Sequence, residues 1–267
     1  MGSTSIFNGK WALVTGASAG IGVSLARDLA KHGAKLILTA RRADRLESLA
    51  ADFNAAGTET RTVAADLNDP AAPQQIYDAT EGAGLTVDIL INNAGLGQFG
   101  PFCEGSVDQE LSQVRVNCEA VVRLSRLFVP RMVERRRGWM LVVASTASYQ
   151  PIPYLATYAA TKAFDRFFAQ ALAAEVARHG VTITTLCPGP TESEFFKVSG
   201  SPSFDRGRQS AEEVALLGIS GLEHGDLTVI PNFAGRAGAF MSRLLPVGLI
   251  VWTIERIIRP KKAKASQ

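Results

Sequence analysis

Short apolar runs rich in β-branched residues alternate along the chain with longer amphipathic stretches. The runs fall at 11–15, 35–39, 60–64, 87–91, 139–144, 181–186 and 227–230, and each has the length of a strand. Helical spacing of apolar positions marks the segments near 20–32, 43–56, 70–82, 106–134, 154–179 and 211–223. Strand and helix alternating this regularly predict right-handed crossover units and a mostly parallel sheet covered by helices on both faces. No low-complexity linker interrupts the series, so residues 1–267 read as one domain. Residues 190–208 carry Gly, Ser, Pro and Phe without a clear period, the pattern of a lid loop over a site.

Composition narrows this picture only slightly. With 267 residues, 46% hydrophobic and 20% charged, the chain is ordinary globular material with ample length for a core. A net charge of +3 is too small to suggest nucleic acid as a partner. Cys103, Cys118 and Cys187 form no paired framework and no metal-ligand spacing, which favours a reduced, cytoplasmic setting without a metal. Residues 1–10 have no apolar core of a secretory leader.

Candidate chemistry appears at three places. The first run ends in Thr15-Gly16-Ala17-Ser18-Ala19-Gly20-Ile21-Gly22, a glycine-rich turn leading into the first helix. Such a turn lets the backbone approach a pyrophosphate, and the helix start offers free N–H groups to its oxygens. Tyr158 is followed one helical turn later by Lys162, whose cation favours the ionised phenol and prepares it for proton transfer near neutral pH. Ser145 stands thirteen residues upstream, where a hydroxyl can orient a carbonyl or alcohol. The Tyr–Lys spacing alone occurs on many helices by chance; its position after the glycine-rich turn gives it weight.

The TGxxxGxG spacing, Asn92-Asn93-Ala94-Gly95 and Tyr158-x-x-x-Lys162 together resemble the short-chain dehydrogenase/reductase family from residue 8 to about residue 196. The resemblance implies a single-domain Rossmann-type α/β fold, a doubly wound parallel sheet of about seven strands. It also implies hydride transfer between a nicotinamide cofactor and a ketone, aldehyde or alcohol, and assembly as a homodimer or homotetramer through the helices at 106–134 and 154–179. Asn117, Ser145, Tyr158 and Lys162 match the family's catalytic positions: Ser145 and Tyr158 hold the carbonyl oxygen, Tyr158 gives the proton, Lys162 holds the cofactor ribose and Asn117 anchors a water chain. Gly16, Ser18, Ala19, Gly20, Ile21 and Gly22 match its phosphate turn. Asp66 and Leu67 match its adenine contacts, Asn92, Asn93, Ala94 and Gly95 its ribose floor, and Pro188, Gly189, Thr191 and Ser193 its nicotinamide contacts.

The second strand bears on the choice of cofactor. An acidic residue at its end would repel a 2′-phosphate, whereas Ala40, Arg41 and Arg42 stand there. Guanidiniums bind phosphate through a bidentate fork, so NADP(H) is expected. Leu96, Gly97, Phe99, Ala147, Tyr149, Tyr154, Pro190, Phe195 and Phe196 are expected to wall the substrate site, and their apolar character points to a hydrophobic carbonyl compound. The leading expectation is a carbonyl reductase; the alternatives are a 3-oxoacyl thioester reductase and a non-catalytic NADP(H)-binding sensor or scaffold. Residues 244–254 form an uncharged stretch broken by Pro246 and followed by a basic tail with Lys261, Lys262 and Lys264. That C-terminal region, 238–267, is expected to pack on the domain or on a second subunit, or to lie peripherally on a membrane.

Overall fold

The computed structural model describes residues 5–200 and 208–260. Seven strands, β1 (Trp11–Thr15), β2 (Lys35–Ala40), β3 (Thr60–Ala64), β4 (Val87–Asn92), β5 (Gly138–Val143), β6 (Val181–Leu186) and β7 (Thr228–Val229), form one sheet in the order β3-β2-β1-β4-β5-β6-β7. All neighbouring strands are parallel. The order reverses direction between β1 and β4, which opens a crevice at the carboxyl ends of the strands.

Alternate side chains feed two cores, as the two-residue period of a strand requires. Leu13, Ile37, Leu90 and Met140 point to one face, and Val14, Leu38, Ile91 and Leu141 to the other. The first face is covered by α3 (Ala72–Asp78), α5 (Ala120–Glu134) and α6 (Ala156–Val176), and Phe128 and Met132 of α5 lie fully inside it. The second is covered by α1 (Gly20–Lys31), α2 (Ala43–Ala55) and α8 (Ala211–His224).

The single helix expected over 106–134 is broken. Its first part, α4 (Val107–Val114), passes through a π-helical turn at Arg115–Glu119 before α5 begins. Asn117 sits in that turn with its amide bonded to the backbone of Leu96 on both sides, a contact that no helical period can announce. The expected lid holds a short helix, α7 (Phe195–Ser199), and a bridge from Thr191 to Gln209; residues 201–207 of the expected lid lie outside the described segments. The C-terminal stretch forms two helices, α9 (Phe233–Leu244) and α10 (Val247–Ile258), with Pro246 at the start of the second, where a missing N–H costs nothing.

Phe128 is fully buried and meets the edge of Tyr77 at 5.5 Å between ring centroids. Phe128→Ala should therefore lower the unfolding free energy by about 3–5 kcal/mol, read as a fall in the denaturant midpoint at unchanged slope.

Candidate active site

The glycine-rich turn forms the first wall of the cleft. Gly16 holds φ +65°, and a Cβ there would come within 2.9 Å of the Ala94 Cα. Gly20 opens α1 at φ +55°, and a Cβ there would reach the Ser193 Cβ at 2.9 Å. Both positions therefore need glycine, for conformation and for space. The residue before α1, Ala19, supplies no side-chain cap, and no acid lies in the first turn. The free N–H groups at this helix start face the cleft, a donor set that fits a pyrophosphate.

The Asn-Asn-Ala-Gly segment is stitched to the same turn. The Thr15 hydroxyl donates to the Ile91 carbonyl at 3.1 Å and accepts from the backbone N–H groups of Asn93 at 2.9 Å and Ala94 at 3.0 Å. The Asn93 amide donates to the Thr15 carbonyl at 2.8 Å. Gly16, Ser18, Ala19, Gly20, Ile21, Gly22, Asp66, Leu67, Asn93, Ala94 and Gly95 all line the cleft, as do Pro188, Gly189, Thr191 and Ser193. Asn92 does not: it is buried beneath the sheet with its amide toward Ser125 at 3.4 Å and Met140 at 3.6 Å. Strand alternation turns it to the α5 side, so its place is structural.

At the far end of the turn, Arg42 donates to the Ser18 hydroxyl at 3.1 Å and to Glu194 at 3.0 Å. Arg45 reaches the same carboxylate at 2.9 Å. The two guanidiniums hold the Glu194 pKa below its ordinary value, Arg45 more strongly than Arg42. Arg41 also lines the cleft, but the pair converging on one anion is Arg42 and Arg45. The Glu194 carboxylate thus stands where an anionic phosphate group fits.

The centre of the cleft joins β5 to α6. Ser145 follows β5 and accepts from the Ala147 N–H at 3.0 Å, which fixes its hydroxyl at the sheet edge. Lys162, on α6, is buried; its ammonium donates to the Val143 carbonyl at 2.8 Å and to Asp165 at 3.0 Å. Burial by itself would lower the Lys162 pKa, but attraction to Asp165, then Tyr158, holds it above the ordinary value. Burial pushes the Asp165 carboxyl up to about 6 against the pull of Lys162. The second Asp165 oxygen is buried without a hydrogen-bond partner, so this carboxylate depends on Lys162, while Lys162 is also held by Val143.

Tyr158 departs from the sequence expectation. Enclosure of the phenol raises its pKa, and the lowering by Lys162 and the Ser145 hydroxyl is the smaller effect. Asp165 adds to the rise by partly neutralising the lysine field. Asn117 is fully buried: it accepts from the Leu96 N–H at 2.8 Å and donates to the Leu96 carbonyl at 2.9 Å and the Thr161 hydroxyl at 2.8 Å. Its amide thereby locks the loop after β4 to α6, the helix that carries Tyr158 and Lys162.

Beyond this centre the cleft, about 540 Å³ in volume, becomes apolar. Leu96, Gly97, Phe99, Ala147, Pro190, Phe195 and Phe196 line it, and the Phe195 ring lies 5.2 Å from that of Tyr158. Two expected wall residues turn away. Tyr149 packs under the Arg166 guanidinium at 4.3 Å, with its hydroxyl pushed up to about 12 chiefly by burial. Tyr154, at φ +62°, donates instead to Glu255 of α10 at 2.9 Å. Their places are taken by Ile152 and Leu155 and, from the far end of the chain, Ile254, Ile257 and Ile258 of α10. Arg45 and Asp165 were also missed by sequence reasoning; each lies three residues after an expected site residue, a spacing that marks them once the helices are known.

Comparison with known proteins agrees with this geometry. The family model for short chain dehydrogenase matches residues 10–202. The chain is 31% identical over 257 residues to the very-long-chain 3-oxoacyl-CoA reductase of Anas platyrhynchos, covering 93% of this chain and 81% of that protein. It is 36% identical over 205 residues to the protein of the same name from Homo sapiens, covering 74% of this chain and 64% of the human protein. A short-chain dehydrogenase from Sphingobium yanoikuyae, solved in complex with NADPH, superposes with a TM-score of 0.81 at 28% identity, over 97% of this chain and 99% of that one. The chain belongs to the short-chain dehydrogenase family, whose members are nicotinamide-dependent oxidoreductases acting on carbonyl and hydroxyl groups.

Proposed function

We propose that the protein is an NADPH-dependent reductase of long-chain 3-oxoacyl thioesters. The observation that carries the reading is the Ser145–Tyr158–Lys162 cluster in a cleft lined on one side by the glycine-rich turn and on the other by apolar residues such as Leu96, Phe99, Phe195 and Phe196. A 3-oxo group would sit at the cluster with the acyl chain along Phe195, Phe196 and α10, while the anionic part of the thioester remains outside. The named relatives support the thioester over the general hydrophobic ketone, which stays as the second reading because the same apolar lining suits it.

Bound NADPH would supply the hydride. Ser145 and Tyr158 hydrogen-bond the carbonyl oxygen, and Tyr158 donates the proton that the forming alkoxide requires. Lys162 stabilises the phenolate left behind, and Asn117 acts as a positioning residue through Leu96 and Thr161. Asp165 is a second positioning residue: it keeps Lys162 charged and aimed, at the cost of a higher phenol pKa. At the adenosine end, Arg42 and Arg45 would exchange Glu194 for the cofactor's 2′-phosphate. A homodimer belongs to the same reading, since α4 and α6 expose Val107, Leu111, Phe164 and Phe167 to a second copy.

An NADPH-oxidation assay over 3-oxoacyl thioesters of rising chain length, with simple ketones and aldehydes beside them, tests the assignment. Efficiency should rise with acyl length; equal turnover of small ketones would favour the general carbonyl reductase, and no turnover with tight cofactor binding would leave a binding protein. Tyr158→Phe should reduce kcat by about 10²–10⁴-fold with NADPH binding near the wild-type level, and retained turnover would end the proposed proton transfer. Asp165→Asn removes an anion that raises the Tyr158 pKa. Reduction needs the protonated phenol, so the alkaline limb of its pH profile should move to lower pH in that variant, whereas a purely structural Asp165 would leave it in place. Arg42→Ala and Arg45→Ala should each weaken NADPH binding by about tenfold or more without affecting NADH, while Glu194→Gln should strengthen it; equal efficiency with both cofactors in the wild type would refute the phosphate site.

A further inference from the structure

The C-terminal helices leave much of their apolar surface uncovered. Nine of the nineteen large apolar side chains exposed among the described residues fall between Phe233 and Ile257. On α9 they include Phe240 and Leu244, spaced for one helix face, and on α10 Leu249 and Trp252, spaced likewise. No residue of α10 is buried. Single exposed apolar residues are ordinary, but nine along two consecutive helices and their link mark a surface that meets something.

Charge indicates what it meets. From Phe233 to the end of the chain the sequence carries seven Lys and Arg and one acid, Glu255, while the preceding 232 residues carry 21 basic and 24 acidic residues. The positive charge of the protein is therefore concentrated on the segment with the exposed apolar face. Glu255 is itself engaged by Arg259 at 2.7 Å and by Tyr154 at 2.9 Å. The Arg256 guanidinium lies 4.0 Å from the Trp252 ring centroid, an aromatic–cation pair suited to a boundary between apolar and aqueous phases. At a rise of about 1.5 Å per residue, α10 is roughly 18 Å long, well short of a bilayer core of about 30 Å. No helix among the described residues is long and apolar enough to cross a membrane.

The opposite side of α10 faces the active cleft through Ile254 and Ile258, and Ile257 reaches from that wall to the outside with 69% of its surface exposed. The same helix is thus cavity wall and outer surface. We propose that the α9–α10 face docks on an anionic lipid bilayer, with Phe240, Leu244, Leu249 and Trp252 in the acyl boundary and Arg243 and Arg256 among the headgroups. The docking stands apart from the substrate assignment.

The test is co-sedimentation of the full chain with vesicles of phosphatidylcholine alone or mixed with phosphatidylserine, at low and high salt. Binding should require phosphatidylserine, weaken with salt, and shift the tryptophan emission to the blue. Leu249→Glu with Trp252→Glu should abolish it. Arg243→Gln and Arg256→Gln should each weaken it by about fivefold, the equivalent of about 1 kcal/mol per basic residue at an anionic surface. Both sets should keep wild-type turnover of a short, water-soluble substrate, which shows that the fold is intact and measures the reductase reading separately. Wild-type protein that ignores phosphatidylserine vesicles overturns the proposal. So does a double-Glu variant that still binds, or one whose only change is a smaller oligomer, since the face would then join two copies of the chain.

Discussion

Parallel strands cannot be joined by tight turns, and every other feature of this protein follows from that constraint. Each strand must be carried back by a crossover, so helices cover both faces of the sheet and the strands between them are buried on both sides. The carboxyl ends of β1, β4, β5 and β6 therefore gather at one edge. The residues that follow them, Gly16, Asn93, Ser145 and Gly189, meet there although they are far apart in the chain. The reversal between β1 and β4 leaves the gap between those ends open, and the Thr15 hydroxyl holds its two sides in register.

Within that gap the chemistry is a balance between burial and fixed charge. Enclosing Tyr158 removes water that would stabilise a phenolate, and the Lys162 ammonium and Ser145 hydroxyl restore part of what is lost. A buried ammonium itself needs a partner, and Val143 and Asp165 provide it. Asp165 consequently works in two directions. It secures the cation on the β5 edge, and its negative charge weakens the field that the cation exerts on the phenol.

The segment after β6 links the two ends of the cleft. Over a few residues it places Ser193 against Gly20 of the glycine-rich turn, Glu194 on Arg42 and Arg45, and Phe195 on the Tyr158 ring. Contacts at the glycine-rich turn and at the apolar end of the cleft therefore belong to one stretch of backbone. The exposed pairing of Glu194 is weak in energy, as ion pairs in solvent are, so a better anion can displace it.

The amino-acid sequence by itself determined the strands, most of the helices, the glycine turn and the Tyr158–Lys162 pair. These are short-range features: β-branched runs, the two-residue and 3.6-residue periods, and the conformations open to glycine depend on neighbours a few positions away. Tertiary structure decided which way side chains turned and what surrounded them. It sent Asn92 under the sheet while Asn93 braced the turn, and broke the helix at Asn117 through a bond to Leu96. It took Tyr154 from the cleft to Glu255, 101 residues away, and brought Ile254 and Ile258 of α10 in as wall. It also reversed the expected direction of the Tyr158 pKa. Desolvation and Coulomb attraction depend on which groups the fold places side by side, and contacts between residues so distant in the chain leave no period in the sequence to read.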